Sequence, residues 1–329
     1  MRALVTGGTG CVGANLVAAL TARGITARVL RRESASLAAL AGLTYETVVG
    51  DLFAGQEALA AAMAGCDWVF HVAAATQYWR LKRTDWLYRV NVAGTRNMLA
   101  AALRAGIKRF IFTSSVGALG LSEPGKLLDE TSQFNLKARQ FPYGHSKHLA
   151  EIEVRRAIDA GLAAVIVNPT IIIGPRDVNK LGGSLIFEAL KGRLRFSPPG
   201  GANFVAVEDV VAGHLAAAER GEVGERYILA GQNLYYHAAA SIVCTVVGRP
   251  PPSIVIPERM LPFIAAGTTA ARAILGNRVP VNATQVRLST ETIFVDGRKA
   301  IQQLSLPQTP FKTAIEQAYH WYKQNSYLK

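Results

Sequence analysis

The chain contains 329 residues, half of them hydrophobic, and its 36 basic and 23 acidic residues give a formal net charge of +13. This length can bury the core of one large domain or two ordinary ones, and no apolar stretch is long enough to predict a membrane span. The three cysteines are widely spaced and the six histidines form no ligand signature, so we expect no disulfide framework, no bound metal and a reducing, cytoplasmic location. The basic residues form no run of five or more, which favours small anionic ligands over nucleic acid.

Apolar runs alternate with segments of helical spacing over the first half of the chain. The strand candidates read "ALVTG" (3–7), "TARVL" (26–30), "TYETVVGD" (44–51), "WVFHVAAA" (68–75), "RFIFTSS" (109–115) and "AAVIVNP" (163–169). Helical spacing between them is clearest at residues 15–24, 92–106 and 147–161. Because these strands are almost continuously apolar, they should be buried on both faces of a parallel sheet. The order predicts an α/β fold, a doubly wound parallel sheet of the Rossmann type.

The regular alternation ends after Pro169, where glycine and proline clusters follow at 174–175, 198–201 and 250–252. We therefore predict a Rossmann domain over residues 1–168 and a smaller, mixed substrate-binding part over residues 169–329, with some segments returning to the first domain. The most apolar stretch, Met260 to Leu275, is short and contains Pro262 and Arg272. It predicts a buried helix or a wall of the substrate site, and contact with a membrane surface is the alternative.

The turn after the first predicted strand reads "TGGTGCVG", with Gly7, Gly10 and Gly13 spaced three apart. In such a turn one glycine allows a tight bend, the next lets a pyrophosphate approach the backbone, and the third lets the helix pack closely. The helix that follows directs its N-terminal N–H groups toward the phosphates. A glycine trio in the first βα turn therefore predicts dinucleotide binding. The rest of the turn should line that site, through Thr6, Cys11 and Val12.

The second predicted strand ends at Arg31 and Arg32, about 20 residues beyond the glycines. At this position an acidic residue binds the 2′-hydroxyl of NAD, whereas arginine accommodates the 2′-phosphate of NADP. A guanidinium can donate two parallel hydrogen bonds to phosphate and can stack on adenine. The pair predicts NADP(H) as the cofactor of the first domain, and a solvated strand end is the alternative interpretation.

Two further strand ends should border the cofactor. Asp51 and Leu52 follow the third strand, and the Asp51 carboxylate could accept a hydrogen bond from the adenine amino group or cap a turn. The fourth strand ends in Ala73 and Ala74, whose small side chains would let the cofactor lie against the chain. Ordinary packing between helix and sheet explains these alanines equally well.

The fifth strand delivers Ser115 to the carboxyl end of the sheet, where chemistry is expected in this fold. Tyr143 and Lys147 follow in "YGHSK" and, four residues apart, share one helical face. A cation this close should lower the pKa of the Tyr143 phenol. These three residues would form a reductase site. Ser115 would hold a carbonyl oxygen, Tyr143 would donate a proton to it, and Lys147 would hold the nicotinamide ribose. An ordinary helix surface is the alternative.

The chain resembles the extended short-chain dehydrogenases/reductases over nearly its whole length. The motifs that carry the resemblance keep that superfamily's order and read "TGGTGCVG", "GDL", "FHVAA", "NVAGTRN", "FTSS", "YGHSK", "VNPTIIIGPRD", "FVAVEDVVAGH" and "GERYILAG". Among its branches, the chain is most similar to the dihydroflavonol 4-reductase group and its bacterial relatives, which include hopanoid-associated sugar epimerases. The resemblance implies Tyr143 as acid and base, Lys147 as its partner and Ser115 as the holder of the oxyanion. It also implies Asn91 near the catalytic region, in contact with the cofactor, and Pro169 facing the nicotinamide.

Departures from the family's patterns bear on the reaction. Val-Gly follows Ser115 where 4,6-dehydratases of the superfamily carry an Asp-Glu pair. Leu119-Gly120 stands where epimerases usually show Tyr-Gly, and Arg32, which matches the family's NADP-reading arginine, stands where they usually carry an acid. We therefore predict an NADPH-dependent reductase of a ketone or aldehyde, reversible as an alcohol dehydrogenase. The alternatives are an NAD(P)-dependent nucleotide-sugar epimerase and a non-enzymatic NADPH-binding sensor or scaffold.

Substrate contacts are expected from Gln77, Tyr78, Trp79 and Phe204, which predict a partly apolar pocket with aromatic walls. Trp79 and Phe204 could equally be buried packing residues. Lys82, Arg83 and Arg176 could bind a diphosphate or be solvated. The expected partner is a small carbonyl compound or alcohol, without nucleic acid or a membrane span, and a homodimer is one option for the assembly.

Overall fold

A parallel sheet forms the centre of the fold. The computed structural model describes residues 1–76, 84–123, 125–275 and 283–328. The strands of the large sheet are β1 (Arg2–Thr6), β2 (Thr26–Arg31), β3 (Glu46–Val49), β4 (Trp68–His71), β5 (Arg109–Thr113), β6 (Ala164–Pro169) and β10 (Arg226–Leu229). They are ordered β10-β6-β5-β4-β1-β2-β3 and are all parallel. The strand order reverses between β1 and β4, the place where sheets of this kind bind ligands.

Helices cover both faces of this sheet. One face packs against α1 (Cys11–Ala22), α7 (Val207–Arg220) and α11 (Arg298–Leu304), and the other against α2 (Gln56–Met63), α4 (Thr95–Arg104) and α5 (Pro142–Asp159). A short helix, α3 (Asp85–Tyr88), and a π-helical turn at Arg89–Gly94 lead into α4. Ala3 and Val5 of β1 face one core while Leu4 faces the other, which explains the unbroken apolar strands. The prediction of a doubly wound α/β fold is confirmed.

The second half of the chain builds a smaller, mixed part. Its central strand, β9 (Gly201–Ala206), pairs with β7 (Ile171–Ile173), β11 (Gln232–Tyr235) and β13 (Thr292–Ile293), while β8 (Phe196–Ser197) pairs with β12 (Ile254–Val255). Helices α6 (Ser184–Leu190), α8 (Tyr236–Val246) and α12 (Phe311–Gln324) enclose a separate apolar core with β9. Strand β10 and helix α7 lie with the large sheet although they come late in the chain. The domain boundary at residue 168 stays a prediction.

The apolar segment after Met260 forms a surface helix. It folds as α9 (Leu261–Leu275), which packs against α10 (Ala283–Leu288) and leaves Phe263 79% exposed. The expectation of a buried helix is therefore wrong for the outer face of α9. No helix in the described ranges is long and apolar enough to span a membrane. The cytoplasmic location and the homodimer stay predictions.

Candidate active site

A cavity of about 900 Å³ opens at the carboxyl ends of the central strands of the large sheet. One end is formed by the glycine turn between β1 and α1, and the other end by the start of α5. It brings together most residues predicted to bind cofactor or to act on substrate: Thr6, Gly7, Gly10, Cys11, Val12, Gly13, Arg31, Arg32, Asp51, Leu52, Ala73, Ala74, Ser115, Tyr143, Lys147 and Pro169. Their shared location supports the predicted roles.

The shape of the glycine turn fits the pyrophosphate of a dinucleotide. Gly7 has a φ of 68°, and a Cβ there would lie 2.7 Å from the Ala73 nitrogen. A Cβ on Gly13 would lie 2.3 Å from the Gly7 carbonyl oxygen, because α1 packs directly against the turn. A Cβ on Gly10 would meet that oxygen at 3.4 Å and nothing else among the described residues within 4 Å. The turn is therefore tight toward the protein and open toward the cavity, where the N-terminus of α1 begins.

The two arginines at the end of β2 have different surroundings. Arg31 Nε donates to Thr47 Oγ1 at 3.0 Å, and Arg31 Nη1 donates to the carbonyl oxygens of Arg32 and Glu33. Arg32 is exposed at the cavity and makes no hydrogen bond or ion pair with its side chain in the described part of the chain. Arg31 thus holds the strand end together, while the Arg32 guanidinium is available for an anion.

The neighbouring strand ends have structural roles as well. Asp51 Oδ1 accepts a hydrogen bond from the Phe53 N–H at 2.7 Å, so this carboxylate caps the turn after β3 while it lines the cavity. The Ala73 N–H donates to Thr6 Oγ1 at 3.1 Å, which joins the end of β4 to the end of β1. These bonds fix the wall of the cavity. Contact of Asp51 with adenine stays a prediction.

Ser115 and Tyr143 are hydrogen-bonded to each other on the cavity wall. Ser115 is fixed at the end of β5, because its Oγ accepts from the Gly117 N–H at 3.1 Å and its carbonyl oxygen accepts from Asn168 Nδ2 at 2.9 Å. Burial raises the pKa of Tyr143 to about 12, and the hydrogen bond with Ser115 offsets a part of that rise. The phenol therefore keeps its proton at neutral pH, as a proton donor must.

Lys147 lies one turn after Tyr143 and is fully buried behind it. Burial lowers the pKa of Lys147 to about 7, although the charge of Glu151 opposes this. The ammonium donates to the Thr113 carbonyl oxygen at 2.6 Å and lies 4.6 Å from the centroid of the Phe112 ring. The expectation that Lys147 lowers the pKa of Tyr143 is wrong for the protein chain by itself, because burial of the phenol has the larger effect.

A buried ion pair joins helix α5, which carries Tyr143 and Lys147, to strand β10. Glu151 Oε1 accepts from Ser114 Oγ at 2.5 Å and from Asn168 Nδ2 at 2.8 Å, and Glu151 Oε2 lies 2.5 Å from Arg226 Nη2. This cluster was not predicted from the sequence. The four-residue spacing between Lys147 and Glu151 is a signal for one shared helical face, but no local pattern connects either residue to Arg226.

A second buried polar chain begins at the glycine turn. Thr95 Oγ1 donates to the Asn91 carbonyl oxygen at 2.7 Å, so it accepts from His71 Nε2–H at 3.0 Å. His71 Nδ1 then accepts from Thr6 Oγ1 at 2.8 Å. Burial lowers the pKa of His71 to about 3, which keeps this ring neutral, and its hydrogen bonds with Thr6 and Thr95 select one tautomer. His71 lies in a predicted strand, but the sequence pattern predicts no role for it.

The structure corrects the prediction of a cofactor contact for Asn91, which is buried behind the cavity wall. Asn91 Oδ1 accepts from the Ala75 N–H at 2.7 Å, and Nδ2 donates to the Ala75 carbonyl oxygen at 3.0 Å and to Ser146 Oγ at 2.9 Å. Ser146 Oγ donates in turn to the Tyr143 carbonyl oxygen at 2.7 Å. Asn91 therefore positions the segment after β4 relative to the start of α5.

Phe204 was predicted to contact the substrate or, alternatively, to be a buried packing residue, and the structure shows the buried alternative. Its side chain is 2% exposed, and its ring centroid lies 4.8 Å from that of Phe311 in the core between β9 and α12. Its neighbour Asn203 lines the cavity instead, because successive residues of a strand point to opposite faces. The other predicted substrate contacts lie outside the described residues: Gln77, Tyr78 and Trp79, together with the possible diphosphate contacts Lys82 and Arg83.

The second half of the chain gives the cavity a wall of mixed polarity. Its apolar side chains include Ile171, Ile172, Leu181, Leu288 and Ile293, and its polar ones include Thr170, Asp177, Asn179, Gln285 and Ser289. In the described part of the wall, the cations are Arg31, Arg32 and Lys147. Arg176 donates instead to the carbonyl oxygens of Ala39 and Ala41 at 2.7 and 3.2 Å. Its predicted role with a diphosphate is thus replaced by a structural one.

A family model described as "NAD dependent epimerase/dehydratase family" matches residues 3–230, more than half of the chain. The chain belongs to this family. The glycine turn and the Ser-Tyr-Lys site described above both lie within the matched range. The resemblance to the extended short-chain dehydrogenases/reductases is confirmed.

Individual relatives extend the match over the whole chain. A protein named "putative dihydroflavonol 4-reductase" from Synechocystis sp. is 39% identical over 99% of this chain and 95% of its own length. "Sterol demethylase protein B" from Methylococcus capsulatus is 33% identical over 100% of both chains. The crystal structure of gox2253 is similar with a TM-score of 0.87 and 35% identity, and covers 100% of this chain and 99% of its own. The protein is thus an NAD(P)-dependent oxidoreductase or epimerase of the extended short-chain type.

Proposed function

We propose that the protein reduces the carbonyl group of an apolar ketone or aldehyde with NADPH and, in the reverse direction, oxidises the alcohol. The distribution of cations around the cavity carries this proposal. Arg31 and Arg32 lie at the β2 end, where an adenosine 2′-phosphate would bind, and Lys147 lies beside Tyr143. Among the described lining residues no further cation is available to the diphosphate of a nucleotide sugar, and a cation would strengthen its binding.

The preference for NADPH rests on Arg32. Its guanidinium has no partner in the described ranges and is exposed at the cavity, so it can bind a phosphate without breaking another contact. The acid that follows Arg32 in the sequence, Glu33, does not line the cavity, and the Asp51 carboxylate, which does, accepts a hydrogen bond from the Phe53 N–H. The strand end therefore favours the phosphorylated cofactor.

The protein's own side chains would bind the carbonyl oxygen of the substrate and deliver a proton to it. A bound nicotinamide supplies the hydride. The Ser115 hydroxyl holds the carbonyl oxygen, and the Tyr143 phenol, with a pKa of about 12, donates its proton to that oxygen as negative charge develops. The Lys147 ammonium stabilises the phenolate that remains and holds the ribose. Because the pKa of Lys147 is about 7, reduction should decline as the pH rises through neutrality.

The substrate is proposed to be apolar because the second half of the chain contributes five isoleucine and leucine side chains to the cavity and, among its described lining residues, no cation. Tyr236 adds a hydroxyl group that can orient a substrate oxygen, whereas the Asn203 amide already bonds to Thr170, Gly231 and Asn233. The names of the two full-length relatives refer to a dihydroflavonol and a sterol, which are ring compounds without a phosphate group. These names support the same substrate class.

A substrate panel tests the proposal. Purified protein should oxidise NADPH in the presence of aryl or alkyl ketones or aldehydes, and should use NADH less well at subsaturating cofactor. Nucleotide sugars should cause neither cofactor oxidation nor formation of an epimer. Formation of an epimer would replace the reductase assignment with the epimerase, a reaction that the family description also covers. Binding of NADPH without turnover of any carbonyl compound would favour the sensor alternative.

A further inference from the structure

The outer face of α9 is unusually apolar for a surface helix. Phe263 and Ile274 are 79% and 84% exposed, and the other exposed positions between them are alanine, glycine and threonine. The half-buried face at residues 264, 265, 268, 271 and 272 packs inward and includes Arg272. A surface helix normally presents charged residues opposite its packed face. The outer face of α9 contains none from residue 262 to residue 274.

This face is long and straight enough to lie flat on another surface. Phe263 and Ile274 are separated by eleven residues, which is about three turns or about 16 Å of helix, so both point in nearly the same direction. Met260 precedes the helix and is 50% exposed, which extends the apolar line at its N-terminal end. Exposed apolar patches of this kind mark sites of contact with proteins or membranes.

Three cations lie on or beside the segment that leads into α9. Arg259 lies in the turn before the helix, Arg249 lies between α8 and β12, and the Arg195 carbonyl oxygen, next to β8, accepts from the Ser253 N–H at 3.2 Å. All three arginine side chains are exposed, and none forms an ion pair within the described part of the chain. Between residues 249 and 275 the single acid is Glu258. The surroundings of the apolar face are therefore positively charged.

The charge favours an anionic lipid surface over a second copy of the chain. In a two-fold dimer the patch meets a second copy of itself, so the interface would bring two surfaces of the same positive charge together, which is unfavourable. A bilayer interface instead offers acyl chains to Phe263 and Ile274 and negative headgroups to the arginines. The net charge of +13 acts in the same direction.

The face also lies close to the mouth of the active-site cavity. Helix α9 packs against α10, and Gln285, Leu288 and Ser289 at α10 line the cavity. A lipid surface at α9 would thus be separated from the cavity by one helix. This arrangement suits a site that receives an apolar compound from a bilayer.

We propose that α9 docks the protein on the interface of a bilayer containing anionic lipid, with Phe263 and Ile274 inserted among the headgroups and acyl chains. The inference goes beyond the reductase assignment. It is tested without cofactor or substrate, so failure of one leaves the other standing.

Vesicle flotation of the full chain provides the test. The wild-type protein should float with vesicles of phosphatidylcholine that contain roughly one third phosphatidylglycerol, and much less with pure phosphatidylcholine. A Phe263→Ser/Ile274→Ser variant should lose roughly tenfold or more of this binding, since two apolar side chains no longer insert. Ile301→Ser, which alters a 39% exposed apolar side chain on α11, is the matched control and should bind like the wild type.

Several results would overturn the proposal. They are absence of binding, equal binding to both kinds of vesicle, and unchanged binding of the double variant. Sedimentation velocity adds a further one: a wild-type dimer that the double variant converts to a monomer, without vesicle binding, would make this face an interface between copies. NADPH oxidation with a water-soluble ketone and thermal unfolding should be unchanged in the double variant, because both side chains are on the surface.

Discussion

Replacement of Glu151 by glutamine should reveal how much the buried ion pair contributes to the site. The side chains of Glu151 and Arg226 are 2% and 12% exposed, so water cannot compensate for the lost charge. Glutamine keeps an oxygen that can accept from Ser114 and Asn168, but it presents an amide N–H to the Arg226 guanidinium, donor against donor. Removal of one partner from a buried pair costs about 3–5 kcal/mol, and the retained hydrogen bonds place this variant near about 3 kcal/mol.

The same variant should change the pH dependence of catalysis through Lys147. Burial holds the pKa of Lys147 at about 7, and the negative charge of Glu151 keeps it from falling further. The protonated form is present below this pKa and is lost as the pH rises through it. Without the carboxylate the pKa falls, so the alkaline limb of kcat/KM should move to lower pH. The profile of kcat/KM is the correct assay because it reports groups of the free enzyme.

Glu153→Gln on the same helix is the matched control. The Glu153 side chain is 10% exposed, but its partners Arg96 and Arg156 are 59% and 67% exposed and stay solvated when the carboxylate is lost. Its replacement should therefore cost less than that of Glu151, about 1 kcal/mol, and leave the alkaline limb in place. The double variant Glu151→Gln/Arg226→Met removes the clash between donors, so it should regain part of the stability in urea unfolding and keep the shifted limb. An alkaline limb that stays at the wild-type pH in both Glu151 variants would refute this reasoning.

Three further changes probe the cofactor site and the acid. Arg32→Ala should raise the KM for NADPH by roughly 10–150-fold, the loss of about 1.5–3 kcal/mol for a bond to a charged group, with little effect on NADH. Arg31→Ala should alter the two KM values alike and less, and equal losses for both cofactors in the Arg32 variant would exclude a 2′-phosphate contact. Tyr143→Phe should lower kcat by roughly 10²–10⁴-fold while a fluorescence titration shows normal NADPH binding; retained turnover would assign the acid elsewhere. Gly13→Ala should lower the free energy of unfolding by about 1–3 kcal/mol because its Cβ meets backbone at 2.3 Å, whereas Gly10→Ala should keep the stability and weaken cofactor binding; the reverse order in urea unfolding would contradict the geometry of the turn.

Features fixed by local pattern could be predicted from the sequence. The unbroken apolar strands predicted burial on both faces of the sheet. The structure confirms this at β1, where Ala3 and Val5 pack in one core and Leu4 packs in the other. The glycine turn could be placed because close backbone approach demands glycine there. Ser115 and Tyr143 come together because strands of a parallel sheet end at one edge, where the next helix also begins.

Features that depend on contacts between distant segments could not be predicted. Phe204 is in the core because β9 presents that face to α12, and no local pattern in a buried strand distinguishes its two faces. The ion pair of Glu151 with Arg226 depends on β10 lying beside β6. The raised pKa of Tyr143 follows from burial, which outweighs a lysine whose ammonium is bonded to a carbonyl oxygen instead.

The most direct test of the reductase assignment is the stoichiometry of one reaction. When the purified protein is mixed with NADPH and an aryl or alkyl ketone, we predict equal amounts of NADP⁺ and alcohol, with the cofactor exchanging freely between turnovers. An epimerase must instead keep its cofactor, because the hydride returns to the same substrate. Protein that retains bound NAD⁺ through gel filtration, and that interconverts the C4 epimers of a UDP-hexose without net change in NADPH absorbance, would contradict the assignment.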